Sequence, residues 1–332
     1  MWQKLQQFVM SSGIDLAALG LASGIIVSML PKTVFIKKLR EAEHYVKEDG
    51  EERKISKENS NLIQNILKKF DLHPIEHNNI TFFTSSLSDP TCYGSVKAKF
   101  GALIGLPVTI DYDESSRLGK ESLSFGGIRL DLNKSNSDVA TQLAESLLLS
   151  DKAKAFVIAR QLSYVSTYNL HTEVALKSVM AACIIYSMHY VKKHYREFIE
   201  KLRPLPYFLL GCTILSGWGV LYIGLKDARK CRMDYVADRK AALLGRELAE
   251  GGVEYYESLL RRNKSLRILT KSGPSKFTAF GNEATLLRQN GLQITTRRDN
   301  LLKLLDTYNK VEGEKESGSK WADGASISKD KI

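Results

Sequence analysis

The stretch LLLSDKAKAFVIARQLSYV, residues 147–165, decides how the rest of the chain is organised. Ser150 and Asp151 form a helix start, because the hydroxyl oxygen can accept a hydrogen bond from a free backbone N–H and the carboxylate favours the positive end of the helix dipole. Apolar residues then recur at intervals of three and four positions, which predicts a helix with one buried face. These residues are Phe156, Ala159, Leu162 and Val165.

The order of segments in this chain resembles that of the integral-membrane zinc metallopeptidases, which carry a His-Glu-x-x-His motif on such a helix. Residues 160–164 occupy the place of that motif. Zinc hydrolysis requires two imidazoles one helical turn apart and a carboxylate base beside the first. Here the ligand positions hold Arg160 and Tyr164, and the base position holds Gln161. A guanidinium is not deprotonated to bind a metal, and an amide does not accept the proton. Taken alone, these residues fit an ordinary core helix.

The composition of the chain favours a membrane partner. Its 332 residues, 43% of them hydrophobic, suffice for one ordinary domain plus membrane segments, or for two small domains. The net charge of +11 suits an anionic partner, either lipid or nucleic acid. The basic residues are scattered through predicted helices and flank apolar runs, and the sequence has no nucleic-acid-binding signature. The expected partner is therefore the lipid bilayer and not nucleic acid.

Neither the cysteines nor the histidines predict a metal site. The four cysteines have neither the spacing of a disulfide framework nor that of metal ligands. His73 and His77, in the segment HPIEH, match an inverted zinc motif, His-x-x-Glu-His. Pro74 and the asparagines that follow His77 indicate a loop, whereas the motif needs a helix to hold both rings on one face. We therefore expect no helix and no metal there.

Three apolar segments predict membrane helices. After a short polar N-terminal segment, 1–12, residues 13–31 are long enough to span a bilayer and are interpreted as an uncleaved anchor, the alternatives being a signal segment or a surface helix. Residues 171–191 and 205–225 are two further apolar arms joined by a basic linker, 192–204. The second arm has no charged residue. The two arms form a transmembrane hairpin, so the flanking chain returns to one side.

The first arm carries ionisable residues at membrane depth. Such groups need protein or water neighbours rather than lipid. We expect them to make contacts with partner helices within the membrane. They are Glu173, Lys177 and His189.

The remaining segments form the two halves of one predicted domain. Residues 32–170 contain a polar helix with an apolar stripe, short glycine-punctuated strands and the central helix. Residues 226–311 are helical in pattern, and residues 312–332 are small, charged and aperiodic, which predicts a disordered tail. Asp234 and Asp238 follow the hairpin in the pattern Asp-x-x-Ala-Asp. Alone, they fit a pair of surface carboxylates on a basic helix.

The order of these segments resembles the integral-membrane His-Glu-x-x-His metallopeptidases over roughly residues 60–308. In those enzymes a Glu-x-x-Ala-Asp motif supplies the third zinc ligand and a supporting carboxylate, which places Asp234 and Asp238 at the corresponding positions. The resemblance implies an α+β, mostly helical, zincin-like fold with a small sheet, an N-terminal anchor and a transmembrane hairpin. Because the metal ligands and the base are replaced, it implies a pseudopeptidase with Arg160 paired to one of the two aspartates. Its groove beside a sheet edge would accept a peptide as an extra strand.

A closer resemblance is to the transmembrane protein 177 family of the mitochondrial inner membrane. It rests on GGVEYYE at 251–257, on TTRRD at 295–299, on SDKAKAFVIARQLSYV and on the strand GLPVTID. The resemblance implies a non-enzymatic role in cytochrome c oxidase biogenesis, in which the protein stabilises the assembly factors that receive newly made subunit II. It implies no cofactor, no catalytic residue and no small-molecule substrate.

The charges that flank the apolar segments predict the orientation of the protein in the membrane. Ten basic residues near the membrane ends lie on the side of the large domain, against six on the other side. The positive-inside rule then places the domain in the matrix, or in the cytosol if the membrane is another one.

The alternative function is a divergent membrane hydrolase or peptidase of membrane protein quality control. It would use His171 with the carboxylates Glu173, Asp234 and Asp238.

Overall fold

The computed structural model describes residues 2–46, 50–70, 72–112, 123–125, 128–130, 137–195, 204–285 and 288–327. Most of the predicted basic linker (196–203) and the end of the predicted tail (328–332) lie outside this part. The helices are α1 (Trp2–Met29), α2 (Ile36–Glu43), α3 (Lys57–Lys69), α4 (Pro74–Asn78), α5 (Ser137–Ser146), α6 (Asp151–Val165), α7 (Asn169–His194), α8 (Pro204–Ala242), α9 (Arg246–Leu269), α10 (Gly273–Lys276) and α11 (Ile294–Ile327). The strands are β1 (Ile80–Ser85), β2 (Thr91–Gly94), β3 (Ala102–Pro107), β4 (Leu123–Phe125) and β5 (Ile128–Leu130).

Three helical segments are long and apolar enough to cross a membrane. They are Ile14–Lys32, Asn169–His194 and Leu209–Ala242. At most 17% of the most apolar window of each segment is buried inside the protein, so their apolar side chains face outward, where lipid would cover them. Helix α1 packs against α7, and α7 packs against α8. The predicted anchor and both arms of the hairpin therefore lie in one group of three neighbouring helices.

Helix α8 differs from the expected pattern of an arm over 205–225 followed by a separate helix. It is continuous from Pro204 to Ala242. Neither proline nor glycine occurs in residues 226–242, so nothing interrupts its backbone hydrogen bonds. At 1.5 Å per residue its length is about 58 Å, roughly twice the thickness of the hydrocarbon core of a bilayer. The charged half, after residue 225, therefore projects beyond the membrane and reaches the domain.

A small sheet covers one side of the central helix α6. Its strand order is β1-β3-β2, with β1 parallel and β2 antiparallel to β3. All six residues of β3 are buried. Gly105 of β3 leaves room for its neighbours, since a Cβ there would lie 2.6 Å from the Thr91 hydroxyl and 2.9 Å from the Phe83 ring. Strands β4 and β5 form a separate antiparallel pair.

The core surrounds α6. This helix packs against α9, α8, α3 and the sheet, and it buries residues on nearly every side. Ser150 caps its start by accepting a hydrogen bond from the Ala153 N–H, as its sequence predicts. The predicted apolar residues Phe156, Ala159 and Leu162 are fully buried. The architecture is therefore mostly helical with a small three-stranded sheet, in agreement with the coarse fold class.

The HPIEH segment contradicts the expectation that no helix forms there. Residues Pro74–Asn78 form the short helix α4, and His73 is its N-cap. The His73 ring accepts a hydrogen bond from the Ile75 N–H at 3.3 Å, and the Glu76 carboxylate accepts one from the His73 N–H at 3.1 Å. This reciprocal capping stabilises a helix that begins with proline, where no backbone donor is needed. The His73 ring nitrogen is thus used for capping.

The C-terminal segment also differs from expectation. Helix α11 runs from Ile294 to Ile327 and so enters residues 312–332, which the sequence predicts to be disordered. Extending an existing helix requires no new nucleation, so α11 continues into this stretch although it contains several glycine and serine residues.

Candidate functional site

Arg160 joins the central helix α6 to the projecting half of α8. Its Nε donates a hydrogen bond to Asp238 Oδ1 at 2.9 Å, and its Nη2 donates one to Asp234 Oδ1 at 3.0 Å. Both aspartates are buried. They are therefore not the surface carboxylates that the local sequence alone would suggest. Arg160 contacts both members of the predicted pair.

A second arginine, which the sequence analysis did not single out, completes this cluster. Arg297, at the start of α11, donates from Nε and Nη2 to the two oxygens of Asp238, both at 2.7 Å. Tyr256 of α9 donates its hydroxyl to Asp238 Oδ1 at 2.7 Å. The Arg297 guanidinium also lies over the Tyr256 ring, 4.7 Å from its centre. We call Arg160, Asp234, Asp238, Tyr256 and Arg297 the arginine–aspartate cluster.

Arg160 and Asp238 of the cluster remain charged although both side chains are largely buried. Burial by itself raises the pKa of Asp238, but the guanidinium groups of Arg297 and Arg160 outweigh it and lower that pKa below its ordinary value. Burial likewise works against the charge of Arg160, and Tyr256 and the two aspartates raise the pKa of Arg160 well above its ordinary value. Two guanidinium groups therefore compensate two buried carboxylates between three helices, and the partly exposed ammonium of Lys230 is a third cation beside Asp234.

The remaining oxygen of Asp234 faces a loop. The Leu292 N–H approaches Asp234 Oδ2 at 3.5 Å, and a Cβ at Gly291 would lie 3.1 Å from the same oxygen. Lys230, one turn earlier on α8, has its ammonium 3.6 Å from Asp234 Oδ1. The absence of a side chain at Gly291 thus lets the loop backbone approach the carboxylate.

Gln161 and Tyr164 have structural contacts of their own. Gln161 is buried, and its Nε2 donates to the Pro90 carbonyl at 3.3 Å, just before β2. This bond fixes the sheet edge to α6. Tyr164 is half-buried, with the Lys230 ammonium 5.7 Å from the centre of its ring. Both side chains therefore contact neighbouring elements, Gln161 the segment before β2 and Tyr164 the helix α8.

A polar cavity of about 520 Å³ opens beside the arginine–aspartate cluster. Arg160, Asp234 and Arg297 form one wall, and the loop before β2 forms another. On the α9 side Arg262 donates to Asp89 at 2.6 Å, which joins that loop to α9. Other residues at its wall are Ser88, Pro90, Lys230, Tyr255, Leu259, Asn263, Lys276, Phe277 and Glu283.

Residues 277–285 and 288–293, which we call the closing loop, contribute part of the cavity wall. Residues 286 and 287 lie outside the described part. Arg288 forms a paired ion contact with Asp227 of α8, from Nε to Oδ2 at 2.6 Å and from Nη2 to Oδ1 at 2.7 Å. At its far end Thr295 N–H donates to Asn282 Oδ1 at 3.1 Å. The loop is thus held to α8 on one side and to α11 on the other.

The donor set at this site does not suit a metal ion. Within the described ranges, no three side chains of His, Cys, Asp or Glu converge as ligands. The space between Asp234 and Asp238 holds the Arg160 guanidinium instead of imidazoles. Cys92 of β2 is close enough to feel the charges of Arg160 and Asp234, but burial raises the pKa of its thiol to about 11. At neutral pH that thiol is protonated and is a poor ligand or nucleophile.

The residues of the first hairpin arm lie elsewhere. Glu173 accepts hydrogen bonds from Lys32 at 2.8 Å and lies 3.0 Å from Lys177, so this carboxylate and both lysines are paired within the chain. His189 is exposed on α7, and His171 is exposed and packs edge-on against Tyr168. The set His171, Glu173, Asp234 and Asp238 is therefore divided between two separate clusters.

Comparison with known proteins identifies the family. The family model of transmembrane protein 177 matches residues 26–314. The chain belongs to the transmembrane protein 177 family. The zebrafish (Danio rerio) member is 30% identical over 269 residues, which cover 78% of this chain and 83% of the relative. The human member is 28% identical over 228 residues, covering 67% and 70%. An uncharacterized Caenorhabditis elegans protein, R144.12, is 26% identical over 223 residues, covering 63% of each chain. No solved structure matches the chain significantly.

Two stretches by which the chain resembles the transmembrane protein 177 family converge on the cluster. In GGVEYYE, a Cβ at Gly251 would overlap the Lys152 carbonyl, and one at Gly252 would lie 2.6 Å from Leu301 and 2.7 Å from Phe156. The two glycines therefore let α9 approach α6 and α11, and Tyr256 follows one turn later. In TTRRD, Arg297 supplies the second guanidinium. The family's membrane character agrees with the three apolar helices.

Proposed function

We propose that the protein is a non-catalytic assembly factor of the mitochondrial inner membrane that supports cytochrome c oxidase biogenesis. In this role it stabilises the factors that receive newly synthesised subunit II. Membership of the transmembrane protein 177 family and the three apolar helices support the membrane part of the proposal. The protein requires no cofactor and no small-molecule substrate for this function.

The observation that carries the non-catalytic part is the arginine–aspartate cluster. Asp234 lines the cavity and Asp238 lies next to it in the cluster, and both carboxylates are bound by guanidinium groups. Arg160 bonds Asp234 and Asp238, while Arg297 and Tyr256 bond Asp238. The guanidinium groups of Arg297 and Arg160 hold the pKa of Asp238 below its ordinary value, so Asp238 is a weak general base at neutral pH.

We further propose that the domain is a zincin-like fold that has lost its metal. The arrangement supports this: the small sheet lies on one side of α6, and α8 brings Asp234 and Asp238 to Arg160 after the hairpin. Arg160, Gln161, Tyr164 and Asp234 stand at the four positions where the metallopeptidases carry zinc ligands and base. Guanidinium replaces the positive charge that the metal would supply.

The cavity beside the cluster is the proposed binding place for an unassembled polypeptide. Strand β2 lies at the edge of the sheet, and Ser88, Asp89 and Pro90, which precede it, form part of the cavity wall. An extended peptide can add to such an edge through main-chain hydrogen bonds while its side chains enter the cavity. A volume of about 520 Å³ accommodates a few side chains but not a folded partner.

The proposed orientation places the domain in the matrix, because more basic residues flank the membrane helices on the domain side. The half of α8 beyond residue 225 would then stand in the matrix and present the cavity to newly made chains there.

Affinity purification from mitochondria in mild detergent tests the function. Mass spectrometry of the eluate should find oxidase subunit II and its early assembly factors, and metal analysis should find no stoichiometric zinc. The variant Lys276→Glu, at the cavity wall, should capture less of these partners, whereas Lys240→Glu, an exposed lysine of α8 that does not line the cavity, should capture them normally. Stoichiometric zinc would refute the pseudopeptidase proposal, and the absence of oxidase partners would refute the assembly role.

A further inference from the structure

A second charged cluster lies where the three membrane helices meet the domain. Glu173 of α7 is surrounded by three cations: Lys32 at 2.8 Å, Lys177 at 3.0 Å and Arg229 at 4.0 Å. Lys32 follows the anchor helix directly, and Arg229 lies four residues beyond the charge-free run of α8. Lys177 also donates to Ser28 near the end of α1, at 2.9 Å. The cluster therefore marks one boundary of the apolar zone on all three helices.

The cluster around Glu173 has more positive than negative charge. Among the residues that the structure describes, one carboxylate faces three cations, which leaves two positive charges in excess. Asp227, the nearest carboxylate along α8, is already bound by Arg288. Helix packing alone would not require this surplus, because a single cation would neutralise Glu173 and the others repel one another.

Arg229 has a donor still available. Its Nη1 donates to the Asn169 side chain and carbonyl, at the start of α7. Its Nε is buried and has no acceptor among the residues that the structure describes. A buried N–H without an acceptor is costly, so an oxygen ligand that inserted here would relieve it. The side chain of Lys32 is 38% exposed, and its Nζ lies 2.8 Å from Glu173 Oε2, the same oxygen that the Arg229 Nη2 approaches at 4.0 Å.

We propose that Lys32, Lys177 and Arg229 bind the phosphate of an anionic phospholipid in the leaflet on the domain side. Phosphate oxygens accept charge-assisted hydrogen bonds from ammonium and guanidinium groups. Apolar residues of α1 just before the cluster, Ile26 and Val27, are exposed and would lie along the acyl chains. Basic clusters between membrane helices at this depth are suited to such head groups. The site does not depend on the assembly role or on its partners.

Native mass spectrometry of the full-length protein in detergent tests this site, with either an anionic phospholipid or phosphatidylcholine added. The wild type should retain the anionic lipid in preference to phosphatidylcholine. Each of Arg229→Gln and Lys32→Gln should weaken that retention about fivefold, the effect of one basic residue near an anionic head group. The control Lys240→Gln, an exposed lysine of the domain half of α8, should bind as the wild type does.

Two further measurements distinguish a lipid site from a site for free phosphate and from no site at all. Competition by millimolar inorganic phosphate that removes the lipid completely would show a plain phosphate site and would overturn the lipid assignment. Equal binding of anionic lipid by the wild type and both variants would overturn the site itself. Arg229 also contacts Asn169, so its loss could unfold the protein, and the melting temperature of each variant is measured. If Arg229→Gln is unfolded, lipid binding by Lys32→Gln tests the site instead.

Discussion

The Arg160 Nε lies 2.9 Å from Asp238 Oδ1 and so joins two helices whose contributing residues are 78 positions apart in the chain. Between these residues lie two of the three helical segments that are long and apolar enough to span a membrane. The hydrogen bond therefore fixes the central helix to the charged half of α8, and with it the position of these apolar segments relative to the domain.

Removal of Arg160 should destabilise the domain strongly. In Arg160→Ala, Asp234 loses its closest cation and both buried carboxylates lose a hydrogen-bond donor. Breaking one partner of a buried ion pair costs about 3 kcal/mol, and Arg297 limits the loss here. Thermal unfolding in detergent measures it. Lys152→Ala on the same helix removes an exposed ion pair with Glu250 and should leave the midpoint unchanged. Equal midpoints for the two variants would contradict a structural role of the cluster.

The cluster should make the protein sensitive to acid. Because the pKa of Asp238 is lower in the folded protein than its ordinary value, the stabilisation by its charge is fully present above that ordinary value, about 4. It is lost as the pH falls through the folded pKa. The difference in unfolding midpoint between the wild type and Asp238→Asn should therefore be largest near pH 6 and shrink below pH ~4. A constant difference down to pH ~3 would show that the charge of Asp238 contributes nothing.

The close packing of α9 against α6 leaves no room for a side chain at Gly251. A methyl group there would overlap the Lys152 backbone, which cannot move without shifting α6. Gly251→Ala should cost about 1–3 kcal/mol despite the higher helix propensity of alanine. Gly219→Ala, in a helix with open space around it, should be neutral or slightly stabilising. Thermal unfolding of the two variants gives the comparison, and a neutral Gly251→Ala would disprove the packing argument.

The ion contact between Arg288 and Asp227 should keep the closing loop at the cavity wall. In Arg288→Ala, backbone amides of residues 278–285 and 288–293 should exchange hydrogen faster, as seen by mass spectrometry, because the loop loses its contact with α8. The charge-reversed double variant, Asp227→Arg with Arg288→Asp, should restore slow hydrogen exchange. Arg246→Ala, which removes an exposed contact with Glu250, serves as control. If hydrogen exchange stays fast in the charge-reversed double variant, the ion contact between Arg288 and Asp227 does not hold the loop in place.

Reversing the substitutions at the former metal positions tests the zincin-like proposal. The combined variant Arg160→His, Gln161→Glu, Tyr164→His and Asp234→Glu, with Arg297→Leu to remove the remaining cation, should bind about one zinc ion per chain. The same variant without Arg160→His has one imidazole fewer and should bind markedly less. Metal analysis after dialysis gives the stoichiometry. No zinc in the full combination, in a protein that remains folded, would mean that α6 and α8 lack the metallopeptidase geometry.

Local pattern was enough to predict several parts of the fold. The Ser150 cap and the apolar helices depend on neighbouring residues only, so local sequence and composition predict them directly. The periodicity of α6 predicted one buried face, but the helix is buried on nearly every side because the sheet and three helices pack around it. The HPIEH segment shows the limit of this approach. Pro74 suggested a loop, but reciprocal capping by His73 and Glu76 stabilises a short helix around it.

The candidate site was predictable only in part. Arg160, Asp234 and Asp238 were recognised because their spacing resembles a known motif. Arg297 and Tyr256 were not, since they belong to stretches without such a spacing and reach Asp238 only after α9 and α11 pack on α6. The pair of arginines in TTRRD was visible in the sequence, but nothing in it indicated which buried carboxylate one of them would meet.

By itself, the sequence determined the apolar helices that are long enough to span a membrane and the central helix with its Ser150 cap, because each depends on residue type and short-range spacing. The tertiary structure decided that the two aspartates are buried, that two guanidinium groups and a tyrosine hold them, and that a polar cavity opens beside them. These features depend on the distance between side chains that are far apart in the chain, and only the packing of helices sets that distance.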